Sequence, residues 1–210
     1  MGGVKLYQIA ILDDKSQLKL GQTFEVSCYN WGGTYRPKTI GSLVFIKEEG
    51  FFLHMRCDES DPLRRYTKAN DPVYTDSCME AFLSFYPGSE KSGYINFEMN
   101  ANGALLCAYG ESRHNRQYIT DVGITPPVPK VKLEASFWEL ELMIPLTFIK
   151  AVYGRCDFEE AQVLRGNFFK VGENDVNLHF ASFMPITSEK PDFHLPNFFS
   201  NFILTKPTNK

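Results

Sequence analysis

The stretch "DSCMEAFLSF", residues 76–85, decides the fold. Its residues alternate. Met79, Ala81, Leu83 and Phe85 make one apolar face, and Cys78, Glu80, Phe82 and Ser84 make the other. A period of two belongs to a β-strand, whose successive side chains point to opposite faces. Glu80 then stands on the face turned away from the core, in a strand that is otherwise apolar. The next run, "YINFEMN" (94–100), repeats the arrangement. Ile95, Phe97 and Met99 share one face; Tyr94, Asn96, Glu98 and Asn100 share the other. Only turn chemistry, "YPGSEKSG" (86–93), separates the two runs, so they are expected to pair as antiparallel neighbours. Matching their apolar faces sets Glu80 opposite or diagonal to Asn96, Glu98 or Asn100. The expectation is a polar cluster on one sheet face, either solvated or turned to a ligand.

Working outward, strand-like runs recur near 4–10, 23–29, 42–48, 51–57, 103–109, 134–144, 162–170, 176–183 and 199–205. Between them stand "NWGG" (30–33), "EEG" (48–50), "NANG" (100–103) and "VGEND" (171–175), where Gly, Asn and Asp take positive φ cheaply. In "FWELELMIP" (137–145), Trp138, Leu140, Leu142 and Ile144 share a face, which assigns Trp138 to the core. One short helix is predicted over 145–154, opening at Pro145 and stopping at Gly154. "TPPVPK" (125–130) cannot be an inner strand, because proline donates no amide to a ladder. The pattern predicts an all-β chain, an antiparallel β-sandwich with one short helix, as a single domain over 1–210.

The composition fits. Of 210 residues, 43% are hydrophobic and 14% aromatic, with 18 Phe and 10 Tyr. Aromatics fill pleated faces and also serve as stacking plates in sugar sites. A net charge of −3 and no basic stripe argue against nucleic acid as a partner. Apolar runs stay far below the length of a membrane span. The opening "MGGVKLYQIA" lacks the pattern of a secretory signal, so the chain reads as cytosolic. The five cysteines are odd in number and form no C-x-x-C, which reads as buried free thiols.

Motifs for chemistry are sparse. No nucleophile elbow, zincin helix, phosphate loop or dinucleotide fingerprint occurs. Two carboxylates close together, Glu80 and Glu98, have the residue types of a glycosidase acid/base pair. His54, His114, His179 and His194 lack metal-ligand spacing. "NDPVYTD" (70–76) and "GENDVN" (172–177) offer the oxygen ligands a structural calcium ion would take. "KPDFHLPNFFSNFIL" (190–204) sets Phe193 and His194 between Pro191 and Pro196. Such a stiff loop can present a ring for stacking and an imidazole for hydroxyls, or it can plug the end of the sandwich. "ESRHNRQ" (111–117) places Arg113 and Arg116 within reach of the polar cluster.

Several of these motifs, taken in order, resemble carbohydrate-binding module family 9 and its DOMON-like relatives. "DSCMEAF" resembles that group's D-S-V-E-x-F strand, and "GYINFEMNANGALL" the strands that follow in its stand-alone bacterial members. "WELELMIPL", "LRGNFFKVG" and "PDFHLPNFFSNFIL" are similar to later segments, so the resemblance runs over residues 71–205. It implies a jelly-roll-like sandwich that binds sugar without catalysis, with structural calcium. In the family's xylanase-attached modules two tryptophans clamp a terminal sugar of a glucan or xylan chain. Here those positions fall at Val73, beside Tyr74, and at Phe193. Glu98 replaces a sugar-contacting arginine, Ser200 replaces a closing glycine, and Glu80 keeps the place of the motif's sugar-contacting glutamate. Neither Trp31 nor Trp138 falls at a clamp position.

The resulting expectation is an oligosaccharide or polysaccharide site built on Tyr74, Glu80, Asn96, Glu98, Arg113, Phe193 and His194, with no catalytic residue and no certain cofactor. The alternatives are a glycoside-active enzyme using Glu80 and Glu98, and a structural or protein-interaction sandwich with a merely wet polar face. A haem-binding reading needs a Met and a His on one pocket, and the Met and His positions here read as packing.

Overall fold

The alternation in residues 77–100 is realised as two central strands of a curled sheet. The computed structural model describes residues 6–175 and 177–207. Val4 and Lys5, expected at the start of the first strand, and Val176, expected in a later one, lie outside the described residues. In chain order the strands are β1 (Tyr7–Leu12), β2 (Thr23–Glu25), β3 (Cys28–Trp31), β4 (Thr39–Ile46), β5 (Gly50–Cys57), β6 (Ser77–Ser84) and β7 (Tyr94–Asn100). They continue as β8 (Leu105–Gly110), β9 (Gln117–Tyr118), β10 (Lys130–Leu133), β11 (Trp138–Pro145), β12 (Val163–Gly172), β13 (His179–Ser182) and β14 (Ser200–Thr205). The helix α1 (Leu146–Tyr153) follows Pro145 and ends at Gly154, whose φ of 81° needs no Cβ to be accommodated.

Two layers face each other. One runs β9-β8-β7-β6-β12, with β14 and β13 sharing the far edge of β12; the other runs β10-β11-β5-β4, with β2 and β1 beyond. β1 belongs to both. Tyr7–Ala10 pair with β14 and Ile11–Leu12 with β4, each time in parallel. The sandwich is therefore antiparallel except around β1, and the sheet is mixed. Alternation in "YQIAIL" records which side chains are buried, not the direction of the neighbours, so this departure left no sequence signal. β10 was likewise hidden behind "TPPVPK". It is an edge strand on β11, the position where a preceding proline does least harm.

The core between the layers is aromatic. The Phe24 ring stacks on Phe168 at 3.7 Å, Phe202 lies against the same Phe168, and Tyr7 meets all three edge-on. The Tyr7 hydroxyl donates to Gln22 O at 2.6 Å and accepts from Leu43 N at 2.8 Å, so its one polar atom is satisfied inside. Trp138, Leu140, Leu142 and Ile144 are all buried, as their alternation required. Cys57, Cys78 and Cys107 are buried free thiols.

β6 and β7 pair with Glu80 opposite Glu98, Phe82 opposite Asn96 and Cys78 opposite Asn100. Met79, Leu83, Ile95 and Phe97 enter the core as expected. The sequence left the second face either solvated or turned to a ligand, and the solvated alternative is the one the structure does not show: every residue of β6 and β7 is buried on both sides. Irregular segments fold over it, and Val73, Phe180, Ile186, Phe193 and Phe199 pack against Phe82, Tyr94 and Phe169 as a second apolar cluster. Among the described residues no helix is long and apolar enough to cross a membrane.

Candidate ligand-binding site

Asp76 anchors the segment that leads into β6. Its carboxylate accepts from Arg65 N, Arg65 Nε, Tyr66 N and Asn100 Nδ2 at 2.8–3.0 Å. Asn100 Oδ1 in turn accepts from Asn102 N and Ala104 N, which closes the β7–β8 turn. This bracket holds residues 65–76 over the outer face and turns Tyr74 toward it. On the opposite side Arg116 is fully committed. Its guanidinium donates to Asn96 Oδ1 and to the carbonyls of Tyr94, Ala108 and Ser112, and lies 4.2 Å from the Tyr94 ring centroid. Arg113 bonds Asp192 at 3.0 Å, which ties the loop after β8 to the proline-framed loop before β14.

Between these walls lies a cleft of about 420 Å³. All seven residues named from the sequence line it: Tyr74, Glu80, Asn96, Glu98, Arg113, Phe193 and His194. Their roles differ. Asn96 is spent on its neighbours, accepting from Arg116 and donating Nδ2 to Glu98 Oε1 at 2.8 Å. Phe193 is 9% exposed and stacks on Phe169 at 4.2 Å, so it offers the cleft little of its ring. Val73, at the first clamp position, is buried, while Tyr74 beside it is 38% exposed. Sequence reasoning left out of the site Tyr118, the other half-exposed ring of the cleft (40%), and two further carboxylates of its wall, Asp192 and Glu173, the latter considered only for calcium. All three lie in segments without periodicity; their residue types were the one available signal. Trp31 belongs to the packing behind Phe193, and its indole donates to Ser188 O.

The floor carries the unusual electrostatics. Glu80 is 2% and Glu98 4% exposed. Burial, then the Glu98 charge, then Glu173 push the Glu80 carboxyl well above the usual carboxylate range. Burial also raises Glu98, to about 7, against the pull of its Asn96 bond and of Arg116. The pair therefore holds a proton at neutral pH, so one carboxyl can donate a hydrogen bond while its neighbour accepts. His194 is the reverse case. Burial first, and Arg116 next, lower it to about 3, so the imidazole is neutral. Its Nδ1 meets the Tyr94 hydroxyl at 2.9 Å, and its Nε2 faces Glu98 Oε1 at 3.9 Å.

Metal and haem chemistry find no support in the donor sets. In the two loops considered for calcium, Asp76 is engaged as above, Asp71 accepts from Lys68 N, and Asn174 accepts from Asn177 N. Among the described residues no three His, Cys, Asp or Glu side chains gather as a metal set. Among the described residues no Met lines the cleft beside His194.

The sequence profile of carbohydrate-binding family 9 matches residues 9–204. No curated protein matches the sequence. The fold superposes on a candidate carbohydrate-binding protein from Bacteroides uniformis with a TM-score of 0.79 at 23% identity, covering 95% of this chain and 99% of that one. It also superposes on a family 9 carbohydrate-binding module from Caldicellulosiruptor kristjanssonii. The TM-score is 0.68 for that module's glucose complex, at 11% identity and 98% coverage of both chains. It is 0.65 for the cellotriose complex, again at 11% identity, with 98% and 96% covered. With a profile match over nearly its whole length and the same sandwich beneath it, the chain belongs to carbohydrate-binding family 9.

Proposed function

We propose that the protein binds an oligosaccharide or the end of a polysaccharide in the cleft, without making or breaking a bond. A glucan or xylan-type chain is the class we expect. The observation that carries this reading is the convergence of two half-exposed tyrosines, Tyr74 and Tyr118, with a floor that can both donate and accept hydrogen bonds. Rings supply apolar contact to a sugar face, and Glu80, Glu98 and His194 supply orientation. Membership in a carbohydrate-binding family, and a fold shared with a module solved with glucose and cellotriose, support the same reading.

The glycosidase alternative fares less well on geometry. An acid and its partner carboxylate must flank the scissile bond. Glu80 and Glu98 instead stand side by side on adjacent strands of one floor and approach a ligand from the same side. Titration calorimetry with cello- and xylo-oligosaccharides at millimolar ligand tests the proposal. Heat that saturates with one site supports it; no heat with any of them sinks it. Release of reducing sugar by the wild type, lost in Glu80→Gln, would restore the enzyme.

A further inference from the structure

The protein contains two kinds of buried carboxylate, and the contrast bears on the ligand. Glu59 is fully compensated. Lys170 Nζ, itself 0% exposed, lies 3.5 Å from it, Trp138 Nε1 donates at 3.0 Å, and the Ser77 hydroxyl also donates to it. Burial opposes its ionisation, yet those partners hold it below the usual range. Glu80 and Glu98 are buried as deeply and face each other directly, a pairing that is unfavourable when both are ionised. Among the described residues no lysine or arginine forms an ion pair with either. Of the two nearby guanidiniums, Arg116 is committed to Asn96 and three carbonyls, and the half-exposed Arg113 pairs with Asp192 rather than with Glu80 or Glu98. His194, whose Nε2 faces Glu98 at 3.9 Å, is neutral. Glu173 and Asp192 add two acids on the wall, Asp192 paired with Arg113.

Resting on the carbohydrate-binding reading, we infer that the cleft selects a saccharide bearing an ammonium group, an amino sugar whose nitrogen sits at Glu80 and Glu98. The fold has already desolvated two carboxylates against an open cavity and left them without the cation that Glu59 has. An ammonium offers three donors and one positive charge to that floor. It takes the place of the proton the pair holds, with Glu173 adding to the attraction. The same arrangement repels uronic acids. Charge-assisted hydrogen bonds are roughly twice as strong as neutral ones, which at this site amounts to about tenfold in affinity over the hydroxyl counterpart.

The test compares cellotriose with the β-1,4-linked glucosamine trimer, which has the same linkage and shape but carries an ammonium in place of each 2-hydroxyl. Calorimetry on the full chain at pH 7 is expected to show the glucosamine trimer binding about tenfold more tightly, the N-acetylated trimer losing that advantage, and glucuronate not binding. The Glu80→Gln/Glu98→Gln variant is expected to bring the ratio of the two affinities close to one. If that variant does not fold, the wild type decides: added salt must weaken the glucosamine trimer and leave cellotriose unchanged. Cellotriose binding as well as or better than the glucosamine trimer overturns the ammonium selectivity and leaves sugar binding standing. No binding of any trimer overturns the reading on which it rests.

Discussion

Replacing Glu98 by Gln is predicted to stabilise the protein, and only at the alkaline side. Glu98 faces Glu80 across β6 and β7, and burial raises it from 4.5 to about 7. An acid that is harder to ionise when folded binds its proton more tightly in the native state. The stability this confers is present below pH 4.5 and is lost as the pH rises through about 7. The rise, at about 1.36 kcal/mol per pH unit, is worth about 3 kcal/mol, and it belongs to the pair, since Glu80 titrates with Glu98. Gln keeps an oxygen for Asn96 Nδ2 and turns an N–H toward Glu80. Urea denaturation of both proteins at pH 4.5 and 8.5 measures the difference. The expected result is near equality at pH 4.5 and a gain of about 3 kcal/mol for the variant at pH 8.5, or roughly 6–12 °C in Tm. A gap of the same size at both pH values, or a variant less stable at pH 8.5, would refute the assignment of a strained carboxyl pair.

Three further outcomes follow from the same geometry. Lys170→Met leaves Glu59 buried without its cation and is expected to cost about 3–5 kcal/mol in urea denaturation at pH 7, largely recovered in the Glu59→Gln/Lys170→Met variant; a loss below about 1 kcal/mol would show that the pair is not what joins the layers there. Arg116→Lys cannot reproduce the fork to Asn96 and three carbonyls, so a destabilisation of about 2 kcal/mol and a loosened residue 111–117 loop by hydrogen exchange are expected. Tyr118→Ala and Tyr74→Ala each remove a half-exposed ring, and each is expected to weaken saccharide binding by about 1–2 kcal/mol in calorimetry with Tm nearly unchanged; unaltered affinity in both would remove them from the site.

The sequence made the central strands legible because alternation is a local signal. It assigned Met79 to the core, Glu80 to the other face and Trp138 to the apolar side, and parity alone placed Glu80 among Asn96, Glu98 and Asn100. It also resolved less than it implied. Whether Glu80's face is wet depends on segments 59–76, 111–122 and 184–199, which have no period to read. Their anchors, Asp76 with Asn100 and Arg116 with Asn96, are hydrogen bonds between residues far apart in sequence. Lys170 could not be assigned a side from "NFFK". The register with β6 places it beside Met79 on the core face and sets Asn167 beside Phe82 on the cleft side. Phe193, which aligns with a clamp tryptophan, is largely used in packing, while the exposed rings are Tyr74 and Tyr118.

The most direct test of the account is where a sugar sits. A titration of the 15N-labelled protein with cellotriose, followed by amide chemical shifts, is predicted to move Tyr74, Glu80, Glu98, Tyr118 and His194 together. Shifts gathered instead at another groove, such as the one beside Tyr86, Arg155 and Phe158, would contradict the assignment of the cleft as the binding site.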